Sequence, residues 1–382
     1  MHNAYIIDAV RTPRGKRKGK LSSVHPVDLL TYPLQALATR NNIPLEQVDD
    51  VTVGCVTQTG EQGWCVGRAG VLAAGWPISV PATTINRLCG SGQQAFNFAA
   101  TAIMAGQYQL AVASGLEHMT RCPMFSDISG EISPKLKAQY PDLVQQGMAA
   151  ELLAEHFNLS RAQLDEYACA SQLRAAAAQA DGRFAKSLVP VDYTDEHGQT
   201  SKLTADEAVR PATTVEGLAQ LKPVFKEGGV ITAGNASSIV DGAAAILLAS
   251  ERTATTLNLR PRARVVSMSQ VGSPPRIMLT GPIAASKQAL QRAGLNANQI
   301  DLWEINEAFA AVPLVTMQEL GVPASKCNVN GGGVSLGHPL GATGVMLINT
   351  ALDELERSGG RYALITMCIG LGMGIATIIE RL

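Results

Sequence analysis

The 382 residues are 46% hydrophobic with a formal net charge of −1, a length for two α/β domains or one large unit with an ample core. Near-neutral charge argues against a nucleic-acid-binding body, and no uncharged apolar run attains the ~18–20 residues of a membrane span. Seven cysteines without close pairing oppose a disulfide framework. Together with six histidines they show no CxxC or HxxxH metal spacing, and a reducing cytoplasm is the expected compartment.

Residues 4–10 (AYIIDAV) predict a buried first strand rather than a signal peptide. The basic cluster Arg11, Arg14, Lys16, Arg17, Lys18 and Lys20 reads as a solvated loop ahead of any phosphate site. A helix over 26–41, a strand over 51–56, a loop at 60–63 and a helix over 66–74 follow. In TTINRLCGSGQQAFNFAATAIMAG, residues 83–88 read as a strand and the pattern turns helical from Cys89. A helix N-terminus stabilises a thiolate, so Cys89 is expected to have a lowered pKa; the competing reading is a buried structural cysteine. A strand at 109–115 precedes a long aperiodic stretch, 117–146, of the kind that serves as a lid or binding loop. A helix over 149–157 and a second one opened by a Ser160–Gln163 capping box and stopped at Gly182 come next. Residues 183–230 read as an excursion over the surface, and ITAGNASSIVDGAAAILLAS returns the chain to a buried element.

The second half echoes the first. ARVVSMS near 263 resembles AYIIDAV, QIDLWEIN near 299 resembles QVDDVTVG near 47, and RYALITMCIG near 361 resembles QYQLAVASG near 107. The order is kept, which predicts two α/β domains of one topology with a site between them and mostly parallel sheets covered on both faces. In CNVNGGGVSLGHPLGATGVMLINT, Gly331, Gly332 and Gly333 permit close backbone approach, Pro339 stiffens the turn carrying His338, and a helix over 344–355 follows. Cys89, His338 and Cys368 thus sit on glycine-rich turns, with Asn306 and Glu307 between a strand and an apolar helix. A cysteine nucleophile needs a base, and a second cysteine suits proton transfer at carbon. These residues alone reach an acyl-transfer enzyme.

RLCGSGQQA, NEAFAAV, NVNGGGVSLGHPLGATG and CIGLGMG, in this order and over essentially the whole chain, resemble the thiolase family. The resemblance implies duplicated βαβαβαββ domains in a five-layered αβαβα sandwich. An N-terminal domain would comprise 1–118 and 231–258, an inserted loop domain 119–230, and a C-terminal domain 259–382. It implies CoA as co-substrate and no bound cofactor. The reaction would be thiolysis of a 3-ketoacyl-CoA, as in β-oxidation and other lipid metabolism, or the reverse Claisen condensation. Cys89 would carry the acyl group, His338 would activate it, and Asn306 would hold a water of one oxyanion hole. Cys368 would be the acid/base at the α-carbon, and the amides of Cys89 and Gly370 the second oxyanion hole. Ser237, Arg210, Met148 and Met278 match residues of the CoA and acyl cleft. A homodimer or homotetramer follows from the same resemblance. Gly333 and Ser335 stand where many members have alanine, Leu279 where glycine is frequent, and the 120–147 loop looks shorter than in short-chain biosynthetic members. Two alternatives are an acyltransferase without carbon–carbon chemistry and a non-catalytic subunit of a larger assembly.

Overall fold

A computed structural model describes residues 2–382. Twelve strands are found among them: β1 (Ala4–Arg11), β2 (Gly15–Lys16), β3 (Asp50–Gly54), β4 (Ala82–Ile85), β5 (Leu110–His118), β6 (Val191–Thr194), β7 (Thr200–Leu203), β8 (Val240–Ser250), β9 (Ala263–Gly272), β10 (Leu302–Ile305), β11 (Tyr362–Ile369) and β12 (Met373–Arg381). The helices are α1 (Pro26–Asn41), α2 (Val66–Ala73), α3 (Ser91–Met104), α4 (Pro134–Gln139), α5 (Gln146–His156), α6 (Arg161–Ala180), α7 (Val215–Ala219), α8 (Glu251–Thr256), α9 (Gly281–Ala293), α10 (Ala311–Leu320) and α11 (Leu340–Ser358).

The large sheet runs β10-β11-β12-β9-β1-β8-β5-β3-β4. Read outward from the β1–β9 seam, β1, β8, β5 and β3 mirror β9, β12, β11 and β10, so the echoed segments occupy equivalent strands. Even β4 has a counterpart, a parallel bridge between Trp303 and Cys327. Helices α3 and α11 pack on each other and on both half-sheets, whereas α1 and α2 cover the outer face of one half and α9 and α10 that of the other. The central position explains why α11 is buried at nearly every position from Leu340 to Leu352 instead of along one stripe. Glycines bring the two central helices together: a Cβ on Gly92 would stand 2.5 Å from the Gly341 carbonyl oxygen.

Five expectations need correction. The sheet is mixed, with parallel pairing only at β3–β4, β3–β5 and β10–β11. Strand β12 follows β11 through a short turn and must run antiparallel to it, and β8 returns from the insertion to lie antiparallel between β5 and β1. The basic cluster is not uniformly solvated. Arg11 and Arg14 are buried on Asp206, Arg11 through a fork of 2.8 and 2.9 Å and Arg14 through its amide at 2.8 Å. Residues 183–230 therefore do more than skirt the surface, since they supply Asp206, and the β6–β7 hairpin buries Val191 and Leu203 in the core against α1. Finally, α11 starts at Leu340, four residues before the expected helix, and β4 ends at Ile85, before the turn that carries Cys89.

Candidate active site

Cys89 lies two residues before α3 on a turn held from both sides. Ser91 Oγ accepts from the Arg87 amide (2.8 Å) and donates to the Leu88 carbonyl (2.6 Å), and Asn86 Oδ1 accepts from the Leu88 amide (2.7 Å). Leu88 is forced to φ +47°, a conformation that costs about 1–3 kcal/mol and persists only where its surroundings impose it. The turn presents the Cys89 sulfur to a cavity of about 210 Å³ whose lining includes Val56, Leu88, Met278, Leu340, Gly370 and Leu371. Gln146 Nε2 donates to the sulfur at 3.8 Å, and the Cys89 and Gly370 amides favour its thiolate form. The expected low pKa is overturned: exclusion of water pushes the Cys89 thiol up, outweighing these donors. Cys368, near the end of β11 and buried, is pushed up by burial and by the charge of a neighbouring Cys89 thiolate.

His338 follows Gly337, whose φ of +97° only glycine adopts without strain. The Thr343 hydroxyl donates to the Pro339 carbonyl (2.9 Å), so its oxygen is left to accept from His338 Nδ1–H at 2.6 Å. That bond places the proton on Nδ1 and the lone pair on Nε2, which faces Asn306 Nδ2 at 3.3 Å. Burial, helped by the positive charge of Arg14, lowers the His338 pKa to about 3, so the ring is neutral. Asn306 Oδ1 is buried without a protein partner. Gly333 lies against it, and a Cβ there would stand 3.3 Å from Oδ1. The neighbouring Glu307 carboxylate accepts from Tyr167 (2.9 Å), Ser171 (2.7 Å) and the Val334 amide (3.1 Å), while Ser335 bonds Ser171 at 2.8 Å. This network holds the glycine-rich turn against α6.

Glu117 ties the two halves together at the site. Its carboxylate accepts from the amides of Val56 (2.9 Å), Thr57 (3.1 Å) and Gly341 (2.9 Å) and from Gln62 Nε2 (3.0 Å). The first turn of α11, next to His338, is thereby fixed to the strand end of the other half.

Cys89, Gly370 and Met278 meet at one cavity, and His338 and Asn306 meet each other. Ser237 lies alongside: its amide donates to the Ala308 carbonyl (3.0 Å), and the next residue's carbonyl accepts from the His338 amide (3.0 Å). Met148 is half-buried on α5, two residues beyond Gln146. Arg210 is exposed and does not line the cavity. Gln146, Thr343 and Glu117 are residues that sequence reasoning missed; only Thr343, inside the GHPLGATG motif, carried a signal.

The family model for the thiolase N-terminal domain matches residues 4–252, and that for the thiolase C-terminal domain matches 259–381. The chain is 47% identical over 402 aligned residues to a beta-ketoadipyl-CoA thiolase of Acinetobacter baylyi and 45% identical over 388 to a 3-ketoacyl-CoA thiolase of Serratia proteamaculans, with 100% of each chain covered. Among solved structures it superposes on human mitochondrial 3-ketoacyl-CoA thiolase with a TM-score of 0.91 at 37% identity, covering 100% of this chain and 99% of that one. For Bacillus anthracis acetyl-CoA acetyltransferase the TM-score is 0.92 at the same identity and coverage. With both halves matched, the fold shared and the identity sustained from end to end, this chain belongs to the thiolase family of acyltransferases.

Proposed function

We propose that the protein cleaves 3-ketoacyl-CoA with CoA, and runs the reverse condensation, through an acyl group on Cys89. His338 Nε2 takes the Cys89 thiol proton, and the thiolate adds to the 3-keto carbon. The Cys89 and Gly370 amides, which lie at the sulfur, stabilise the oxyanion on the carbon bonded to it. Collapse breaks the C2–C3 bond and leaves the electron pair on C2 as an enolate, whose oxygen is met by His338 Nε2–H and the water held by Asn306. Cys368 donates its thiol proton to C2, releasing acetyl-CoA. The CoA thiol then attacks acyl-Cys89, gives its proton to the Cys368 thiolate, and Cys89 recovers its own from His338.

The observation that carries this reading is the close approach of the Cys89 turn to the end of β11: Gly370 lines the cavity with Cys89, and a Cβ on Gly90 would collide with Ile369 Cδ1, next to buried Cys368. A high thiol pKa suits an acid that must hold its proton until a carbanion forms. Ser237, Met148 and Met278 are assigned to the pantetheine and acyl cleft, and exposed Arg210 to the nucleotide end. Residues 119–230 act as the insertion covering that cleft, between an N-terminal domain of 1–118 and 231–258 and a C-terminal domain of 259–382. CoA is the co-substrate and no permanent cofactor is assigned. No helix among the described residues is long and apolar enough to cross a membrane. Seven free thiols accord with a reducing cytoplasm.

Self-association is assigned to the open edge of β4. Trp64 is 98% and Ile78 85% exposed near it in the chain, and Leu72, on the α2 helix that packs on β4, is also uncovered. Light scattering is expected to find a dimer or tetramer; a monomer would remove this assignment. Thiolysis of a panel of 3-ketoacyl-CoAs, with and without Cys89→Ala, tests the reaction. Turnover in the parent and none in the variant is expected, and an active variant would end the reading.

A further inference from the structure

The cavity beside Cys89 has a charge character that the names of the relatives do not convey. Its walls are apolar, among them Val56, Met124, Ile128, Met278 and Leu371. Among the described residues lining it there is no lysine, arginine or histidine, and Asp127 is its carboxylate. A second carboxylate, Glu117, lies behind the wall, where it accepts from the Val56 amide at 2.9 Å; burial raises the Cys55 and Cys89 thiols, and the charge of Glu117 adds to both. Arg121 forks onto Glu61 (2.5 and 2.6 Å) and Arg276 pairs with Asp142 at 2.9 Å, and Arg87, two residues before Cys89, is not part of the lining.

Half-exposed Leu371, at φ +64° on the turn between β11 and β12, borders both this cavity and a surface groove formed by Leu136, Tyr140 and Pro275. An acyl chain longer than that of acetoacetyl-CoA therefore has apolar wall to follow and gains from each methylene it buries. A chain ending in a carboxylate meets no cation in this lining, only the neutral amides of Gln145 and Gln146, loses its hydration and faces Asp127.

We propose that this pocket takes uncharged 3-ketoacyl chains longer than acetoacetyl and rejects those ending in a carboxylate, with Asp127 as a specificity-determining residue. The inference rests on the thiolase reading for its reaction but on the cavity alone for its selectivity. It separates this chain from the A. baylyi protein named for beta-ketoadipyl-CoA, with which the alignment is 20 positions longer than this chain.

Binding of octanoyl-CoA and adipoyl-CoA, which lack the 3-keto group, to the Cys89→Ala variant isolates the pocket from the chemistry. Calorimetry is expected to find octanoyl-CoA at least about 100-fold tighter, as burial of an unpaired charge demands. Asp127→Asn is expected to tighten adipoyl-CoA about fivefold and leave octanoyl-CoA unchanged, the effect of removing one carboxylate at the pocket rim. Equal affinities, or no response of adipoyl-CoA to Asp127→Asn, would overturn the proposal. With the parent enzyme, kcat/KM is expected to rank 3-ketooctanoyl-CoA above acetoacetyl-CoA and both above 3-ketoadipyl-CoA; a preference for either of the last two overturns it. Selective binding with no turnover of any substrate would sustain the pocket assignment and sink the thiolase reaction instead.

Discussion

Replacing Thr343 with valine keeps its shape and removes one hydroxyl. That hydroxyl accepts from His338 Nδ1–H at 2.6 Å while donating to the Pro339 carbonyl. In Thr343→Val the ring N–H is buried with nothing to receive it, at a cost of about 1–3 kcal/mol. The ring escapes that cost by moving its proton to Nε2, which destroys the lone pair that accepts the Cys89 proton. Taking about 2 kcal/mol as the lost tautomer preference, kcat falls about 30-fold. KM changes little, because Thr343 does not line the acyl cavity. Urea unfolding should show a loss of about 1 kcal/mol. Thr343→Ser restores the hydroxyl and should return kcat to within about threefold of the parent. Steady-state thiolysis decides between outcomes. A valine variant with parental kcat, or a serine variant as damaged as the valine one, would refute the assignment of the Nδ1–H tautomer.

Stability should depend on pH through His338. Its pKa is lowered to about 3 from an ordinary 6.5, so between these values the unfolded chain binds a proton that the native protein refuses. Its contribution is complete above about pH 6.5 and is lost as pH falls toward 3, amounting to about 2 kcal/mol between pH 7 and 5. His338→Gln should flatten that part of the urea-derived profile, and an unchanged slope would contradict the burial. Alkylation of Cys89 by iodoacetamide in the free enzyme should keep accelerating through about pH 9, since the thiol lies above its usual range; a plateau near neutrality would show a preformed thiolate. Gly92→Ala places a methyl group 2.5 Å from the Gly341 carbonyl oxygen and 3.1 Å from Val345 Cγ2, and should cost about 2–3 kcal/mol by calorimetry. A change under about 0.5 kcal/mol would show that α3 and α11 are free to separate.

What the chain discloses before folding is local. The apolar runs near residues 4, 107, 263 and 361 predicted strands, and their order predicted the duplication now seen as β1, β5, β9 and β11. Glycine-rich turns marked Cys89 and His338 because a reactive side chain on such a turn has room around it. Strand direction was not legible, since apolar alternation says nothing about a partner's orientation. Arg11 and Arg14 looked solvated because their partner, Asp206, lies more than 190 residues away in sequence. The Cys89 pKa was misjudged for a related reason: helix polarity is visible in the nearby residues, but the water exclusion that outweighs it comes from the packing of distant segments. Gln146 could not be singled out, because it reaches the sulfur only through the placement of α5.

The most direct test of the two-cysteine account is intact-mass analysis of Cys368→Ala mixed with acyl-CoA, run beside a thiolysis assay. An acyl adduct on Cys89 with no cleavage of 3-ketoacyl-CoA is the result expected if Cys89 carries the acyl group and Cys368 handles the proton at carbon. Sustained cleavage without Cys368, or an adduct that survives Cys89→Ala, would contradict the account.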